Sequence, residues 1–174
     1  IIGFGRSGQQ LARIAKNGLQ MRILYTDIKH KLDAESLLDA KMVDLETLLN
    51  ESDIVSIHCN LTESTHHMID TKELEKMKPL ALLINTARGA IIDENALVRA
   101  LKENWIAGAA LDVFENEPDI HPELLKMDNV ILTPHIGTAT YESQIQMARI
   151  AAQNVIDVLI NKTSPRSLIN KKLK

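Results

Sequence analysis

Short, nearly continuous apolar runs alternate with amphipathic stretches over residues 1–136, and this alternation restricts the fold more than any other feature of the chain. The runs are Met21–Tyr25, Ile54–His58, Leu80–Asn85, Ile106–Leu111 and Val130–Thr133, after a stub at Ile1–Phe4. A strand with one face in water alternates apolar and polar residues, whereas a strand covered by helices on both faces does not need to. The runs therefore predict an α/β fold, a parallel sheet with helices packed on both sides.

The intervening segments carry helix signals. Leu11, Ile14, Ala15 and Leu19 recur at helical spacing, with Gly18 placed to end the turn. Asp44 is positioned to cap a short helix through Leu49. Asp70, with Glu73 three residues later, reads as a capping-box start that Pro79 closes, and Asp93 starts a helix to about Glu103. The longest helix is expected from about Tyr141 to Ile160, with Ile145, Ala148, Ala152, Val155, Ile156 and Leu159 on one face. Glu115–Met127 reads as an ordered loop, and the chain has no internal repeat or low-complexity linker.

Length and composition set the bounds. With 174 residues, 45% hydrophobic and 25% charged, the chain suits one folded domain with a substantial core. A net charge of −3 gives no electrostatic case for nucleic acid or an anionic membrane. The basic end, Lys171-Lys172-Leu173-Lys174, reads as solvated rather than as a binding patch. No apolar run approaches the ~18 residues of a membrane span. One cysteine, Cys59, excludes an internal disulfide and fits a reducing cytoplasm. Only Ile1 and Ile2 precede the first glycine, with no initiator methionine, so the first strand reads as truncated and the chain as a piece of a longer protein.

That first strand runs into Gly3-Phe4-Gly5-Arg6-Ser7-Gly8. A GxGxxG pattern alone is weak, but here a strand precedes it, a helix follows, and Asp27 stands 19 residues after Gly8. In a dinucleotide site Gly3 permits the tight turn, Gly5 lets backbone approach the pyrophosphate, and Gly8 lets helix and strand pack closely. The helix amino terminus offers N–H groups and partial positive charge to the phosphates. Asp27 can accept bonds from the adenine-ribose hydroxyls and would repel a 2′-phosphate, which favours NAD over NADP; the plainer alternative is a turn-forming aspartate. Arg6 either contacts a phosphate or faces solvent.

Ligands of open parallel sheets bind beyond the carboxyl ends of the strands, and Arg88, Asp112, Glu117 and His135 all follow strand-like runs there. Arg88 presents a planar fork that matches a carboxylate, although a lone arginine after a strand is usually a surface ion pair. Gly89 beside it suggests a close approach of backbone to a ligand. His135 can take a proton from a hydroxyl or return it to a carbonyl, and Glu117 within reach would favour the imidazolium. Asp112 either binds a nicotinamide carboxamide or caps the following turn. Cys59 reads as lining the cofactor cleft rather than as a nucleophile, since no base is dedicated to it. His66 and His67 are expected to point apart, His30 and His121 to lie in polar loops, and no metal site is expected.

Together these segments resemble the NAD-binding domain of the D-isomer-specific 2-hydroxyacid dehydrogenases, which include phosphoglycerate, D-lactate and hydroxypyruvate/glyoxylate enzymes. The match runs through Gly3–Gly8, Asp27, His58-Cys59-Asn60-Leu61-Thr62, Asn85–Gly89, Leu111–Pro118 and Pro134–Gly137. The resemblance implies a Rossmann-like, doubly wound parallel sheet, an NAD-binding domain over 1–160, and a tail at 161–174 left from a substrate domain whose amino-terminal segment is missing. It places the catalytic arginine, glutamate and histidine on Arg88, Glu117 and His135, and the carboxamide-binding aspartate on Asp112. Other cofactor contacts fall on Arg6, Ser7, Asp27, Cys59, Thr86, Ala87 and Gly137. It implies hydride transfer between NAD(H) and a D-2-hydroxy acid or 2-keto acid, with 3-phosphoglycerate and glyoxylate/hydroxypyruvate as leading substrates, in a homodimeric parent. The chain alone is expected to be inactive. Asn60 stands where the family usually has proline, and Glu117 where formate dehydrogenases have glutamine. An NAD(H)-sensing binding module of the corepressor type is the second reading.

Overall fold

The computed structural model describes residues 1–168. The basic end at Lys171–Lys174 and the last six residues of the expected tail, 169–174, lie outside them. The chain divides into two compact units, Ile1–His135 and Ile136–Lys174.

In the first unit the elements follow as α1 (Arg6–Leu19), β1 (Ile23–Tyr25), α2 (Leu32–Leu38), β2 (Ala40–Met42), α3 (Leu45–Glu51), β3 (Ile54–Ile57), α4 (Thr71–Glu75), β4 (Leu82–Asn85), α5 (Glu94–Lys102), β5 (Gly108–Leu111) and β6 (Val130–Leu132). All strand pairs are parallel: β1 with β2, and β3-β4-β5-β6 in order. The stub joins the two groups. Ile2 bridges Thr26 on one side and Ile57 on the other. Its N–H donates to the Ser56 carbonyl at 2.9 Å, its own carbonyl accepts from His58 at 2.7 Å, and Gly3 N–H donates to the Thr26 carbonyl at 2.9 Å. The spatial order is thus β2-β1-stub-β3-β4-β5-β6, the doubly wound arrangement expected, and the order reverses between the stub and β3.

Two buried clusters hold this unit together. One gathers Ile2, Val55, Ile57, Leu83 and Leu111 from the sheet with Leu48, Leu49, Leu74, Leu97 and Leu101 from α3, α4 and α5. The other packs Phe4, Ile23 and Tyr25 against Ala12 of α1 and Ala34 and Leu38 of α2. Phe4 and Tyr25 stack with ring centroids 4.0 Å apart, a contact that fixes the residue between two loop glycines and is worth ~0.5–1.5 kcal/mol beyond its area.

Several expectations need correction. The helix α2 and strand β2 carry no sequence signal strong enough to have been expected. The cap position of α2 is Lys31, without a side-chain bond, and β2 is a three-residue strand formed by pairing Ala40–Met42 with Ile23–Tyr25. Gly18 lies inside α1; Gln20, at φ 55, ends it. Asp44, Asp70 and Asp93 cap α3, α4 and α5 as expected, accepting from Thr47, Lys72 and Ala96 N–H, but α4 stops at Glu75, before Pro79.

In the second unit Thr140 caps α6 (Tyr141–Leu159) by accepting from Ser143 N–H. The apolar face expected on this helix is largely exposed, Val155 at 56% and Leu159 at 64%. Its buried residue is Asp157, which accepts from Gln153 Nε2 (2.8 Å) and Asn161 Nδ2 (3.2 Å) and pairs with Arg166 (3.2 Å). No helix among the described residues is long and apolar enough to cross a membrane.

Candidate active site

The three motif glycines meet different surroundings. At Gly3, with φ +89°, a Cβ would lie 2.5 Å from Cys59 N; at Gly8 it would lie 2.3 Å from the Gly3 carbonyl oxygen. Both positions are closed by the protein's own backbone. Gly5 has no atom within 4 Å of its Cβ position, so nothing in the fold itself requires glycine there. The open space lies where α1 begins, and α1 has no side-chain cap on its amino-terminal turn. A turn with unsatisfied N–H groups beside a gap that a Cβ would fill suits a phosphate. Arg6 and Ser7 are exposed on that turn. Asp27 reaches back to the same loop, its Oδ2 accepting from Phe4 N–H at 2.7 Å, and Oδ1 accepts from Lys29 N–H at 3.4 Å. The carboxylate is therefore both a turn former and a strut of the glycine loop.

A cleft of about 400 Å³ opens beside it, lined by Ser7, His58, Cys59, Asn60, Leu61, Thr86, Ala87 and Arg88. It lies next to the reversal of strand order, where the ends of the stub and β3 are neighbours. Four of the sequence-derived contacts (Ser7, Cys59, Thr86 and Ala87) line this one space. Burial pushes the Cys59 thiol up, which keeps it protonated and inert. Two further residues organise the cleft and were not singled out in the sequence. His58 spans Ser7 Oγ (3.0 Å from Nδ1) and Ser56 Oγ (2.9 Å from Nε2), and burial holds its imidazole below the ordinary value. Asn85, fully buried, accepts from Ala87 N–H at 3.0 Å and donates to the Arg88 carbonyl at 2.9 Å, shaping the turn that carries Thr86 to Arg88. The available signals were a polar residue ending an apolar strand and, for each, a place at the start of a segment in the family match.

Farther along the carboxyl edge, His135 Nδ1 and Glu117 Oε2 are 2.8 Å apart. The other Glu117 oxygen accepts from Phe114 N–H at 3.0 Å, so the carboxylate is fixed from both sides. The bond to His135, then the Phe114 N–H, then the charges of His135 and Arg88 hold Glu117 below the usual carboxylate range. His135 takes φ 53, and its N–H donates to the Thr133 carbonyl at 3.0 Å. Arg88 is exposed, donates to the Ala87 carbonyl at 2.6 Å, and forms no salt bridge among the described residues. Its guanidinium remains available for a carboxylate. Asp112 is 7% exposed and accepts from Thr133 Oγ1 at 2.6 Å, tying the end of β5 to the segment after β6. Gly137 belongs to the second unit.

Two expectations fail here. The close approach at Gly89 is to protein rather than ligand, since its Cβ would lie 1.9 Å from the Phe114 carbonyl carbon. His66 and His67 do not point apart: their ring centroids are 4.0 Å from each other. His30 and His121 do sit in polar company, with Glu35 and Asn95.

This geometry has close counterparts. The family model described as D-isomer specific 2-hydroxyacid dehydrogenase, NAD binding domain, matches residues 1–137. A glyoxylate reductase of Thermococcus litoralis is 54% identical over 171 residues, 98% of this chain and 51% of that protein. The holo form of Rhodotorula graminis D-mandelate dehydrogenase superposes with a TM-score of 0.91 at 36% identity, over 95% of this chain and 48% of that one. The NAD-complexed D-isomer specific 2-hydroxyacid dehydrogenase of Lactobacillus delbrueckii ssp. bulgaricus gives 0.89 at 33% identity, over 97% and 55%. The chain spans about half the length of the curated relatives it matches. Over that span, the chain belongs to the D-isomer-specific 2-hydroxyacid dehydrogenases, as their NAD-binding domain.

Proposed function

We propose that the protein carrying this domain transfers a hydride between NAD(H) and a D-2-hydroxy acid or 2-keto acid, with glyoxylate/hydroxypyruvate as first candidates and 3-phosphoglycerate as the next. The observation that carries the reading is the 2.8 Å imidazole–carboxylate pair of His135 and Glu117, on the same strand-end side as Arg88 and the glycine turn. The glyoxylate reductase likeness supports the substrate choice. The residues fit the cofactor: Gly5 leaves room at an uncapped helix start, and Asp27 sets a negative charge beside the glycine loop that disfavours a 2′-phosphate. Arg6, Ser7, Cys59, Thr86 and Ala87 complete the proposed contacts, with Asp112 at the carboxamide.

A bound nicotinamide supplies the hydride acceptor or donor. The remaining chemistry belongs to the side chains. Arg88 holds the substrate carboxylate in two-point geometry and polarises the neighbouring carbonyl. His135 gives the proton to the carbonyl oxygen in reduction and takes it from the hydroxyl in oxidation. Glu117, kept ionised by its two hydrogen bonds, orients the ring and stabilises the imidazolium. A homodimer working in the cytoplasm is part of the same proposal, on family resemblance and the single cysteine.

The test uses the protein at the full length of its relatives. His135→Gln should lower kcat for glyoxylate reduction with NADH by ~10²–10⁴-fold and leave NADH affinity within a few-fold. Near-normal turnover by that variant would make His135 structural and overturn the assignment.

A further inference from the structure

A second cluster of histidines and a carboxylate lies within the first unit, distinct from the His135–Glu117 pair. His67 takes φ 49, a left-handed turn that brings its ring beside that of His66, with centroids 4.0 Å apart and planes at 33°. Its Nε2 lies 2.7 Å from Glu115 Oε1. One ligand atom from each of His66, His67 and Glu115 falls within 4.8 Å of the others.

The backbone that carries two of these donors is held in place. His67 N–H donates to the Ala90 carbonyl at 2.9 Å, and Glu115 N–H donates to Glu94 Oε1 at 2.7 Å, where Glu94 is 6% exposed. His66 is exposed, its ring lying beside that of His67.

We propose that His66, His67 and Glu115 form a binding site for a divalent transition ion of the Zn²⁺ class. Two imidazoles and one carboxylate are a donor set for such borderline ions, whereas Mg²⁺ and Ca²⁺ take oxygen donors. Ligand bonds of ~2.0–2.2 Å in tetrahedral geometry place donor atoms ~3.3 Å apart. Rotation of the exposed His66 ring closes the 4.8 Å spread, and a small opening of the 2.7 Å His67–Glu115 contact admits the ion. Three protein ligands leave a fourth position to water.

The location gives the site a consequence. Glu115 lies two residues before Glu117, and His67 is bonded to Ala90, two residues after Arg88. A bound ion would cross-link the loops that carry both. The proposal does not depend on the hydride-transfer reading.

The competing arrangement is a His67–Glu115 hydrogen bond that serves by itself, with His66 in solvent. Calorimetric titration of this chain with ZnCl₂ separates the two. Saturable uptake of one ion is expected, with a rise in Tm at saturation. His66→Gln and Glu115→Gln should each weaken uptake at least ~10-fold, while His135→Asn leaves it unchanged. His66→Gln changes an exposed side chain, so its folding is not at issue. No saturable uptake by the parent chain overturns the proposal. So does uptake that survives His66→Gln, or uptake that His135→Asn removes, which would assign the ion to the His135–Glu117 pair.

Discussion

Glycine is required at two of the three motif positions by the protein's own backbone, and at the third only the proposed cofactor would require it. A Cβ at Gly3 or Gly8 collides with backbone, while one at Gly5 meets nothing. Gly3→Ala should therefore destabilise the fold by at least ~1–3 kcal/mol, the usual cost of a strained backbone position. Gly5→Ala sits at a helix cap in an extended conformation any residue adopts, so its stability cost should stay below ~1 kcal/mol. Its effect should appear in ligand affinity, because the new methyl occupies the space beside the amino terminus of α1. Urea denaturation and NADH fluorescence titration on the same variants check the separation. If Gly5→Ala bound NADH as tightly as the parent chain, the phosphate would lie elsewhere.

Among the elements, the helices capped by Asp44, Asp70 and Asp93 were legible because a cap is a local chemical event between a side chain and an N–H three or fewer residues away, whereas α6 was legible from its apolar spacing and its Thr140 cap emerged only in the structure. The ordered loop Glu115–Met127 was legible too, and a 3₁₀ turn at Leu124–Lys126 closes it. That turn is anchored by Glu123, which takes Lys102 Nζ of α5 and Lys126 Nζ, each at 2.6 Å. The bond from Lys102 and then that from Lys126 lower the Glu123 carboxyl from 4.5 to about 2. A carboxyl depressed on folding contributes stability above its unfolded value, and that contribution is lost as pH falls from 4.5 through about 2. Carboxyl NMR titration should thus give Glu123 a midpoint well below the ordinary range, rising in Lys102→Met and in high salt, since the pair is exposed and screened. An ordinary midpoint would mean that the ion pairs are not populated in solution.

For the whole molecule, the decisive feature is the reversal of strand order at the stub. It sets the glycine turn against the His58–Asn60 segment and opens the cleft between them. The stub itself is held by single-residue bridges on either side, whereas β4 is paired along its length with β3 and β5. Native-state hydrogen exchange should therefore find the amides of Leu83 and Asn85 among the slowest and those of Ile2 and Thr26 much faster. Equal protection at both places would show that the sheet opens as one unit across the stub.

The sequence alone determined the α/β class, the strand-end position of the glycine loop, Arg88, Asp112, Glu117 and His135, and the family likeness on which their proposed roles rest. Those depend on local signals: apolar runs, caps, and residue types at strand ends. Only the tertiary structure decided the rest, because pairing and close approach join residues far apart in the chain. Ala40–Met42 is a strand because Ile23–Tyr25 lies beside it. Gly89 is small because the Phe114 backbone touches it. His66 and His67 face one another because φ at His67 is positive, and Glu115 meets them from 48 residues beyond His67. His58 joins Ser7 across the reversal of strand order, a contact of 51 residues' separation that no local pattern encodes.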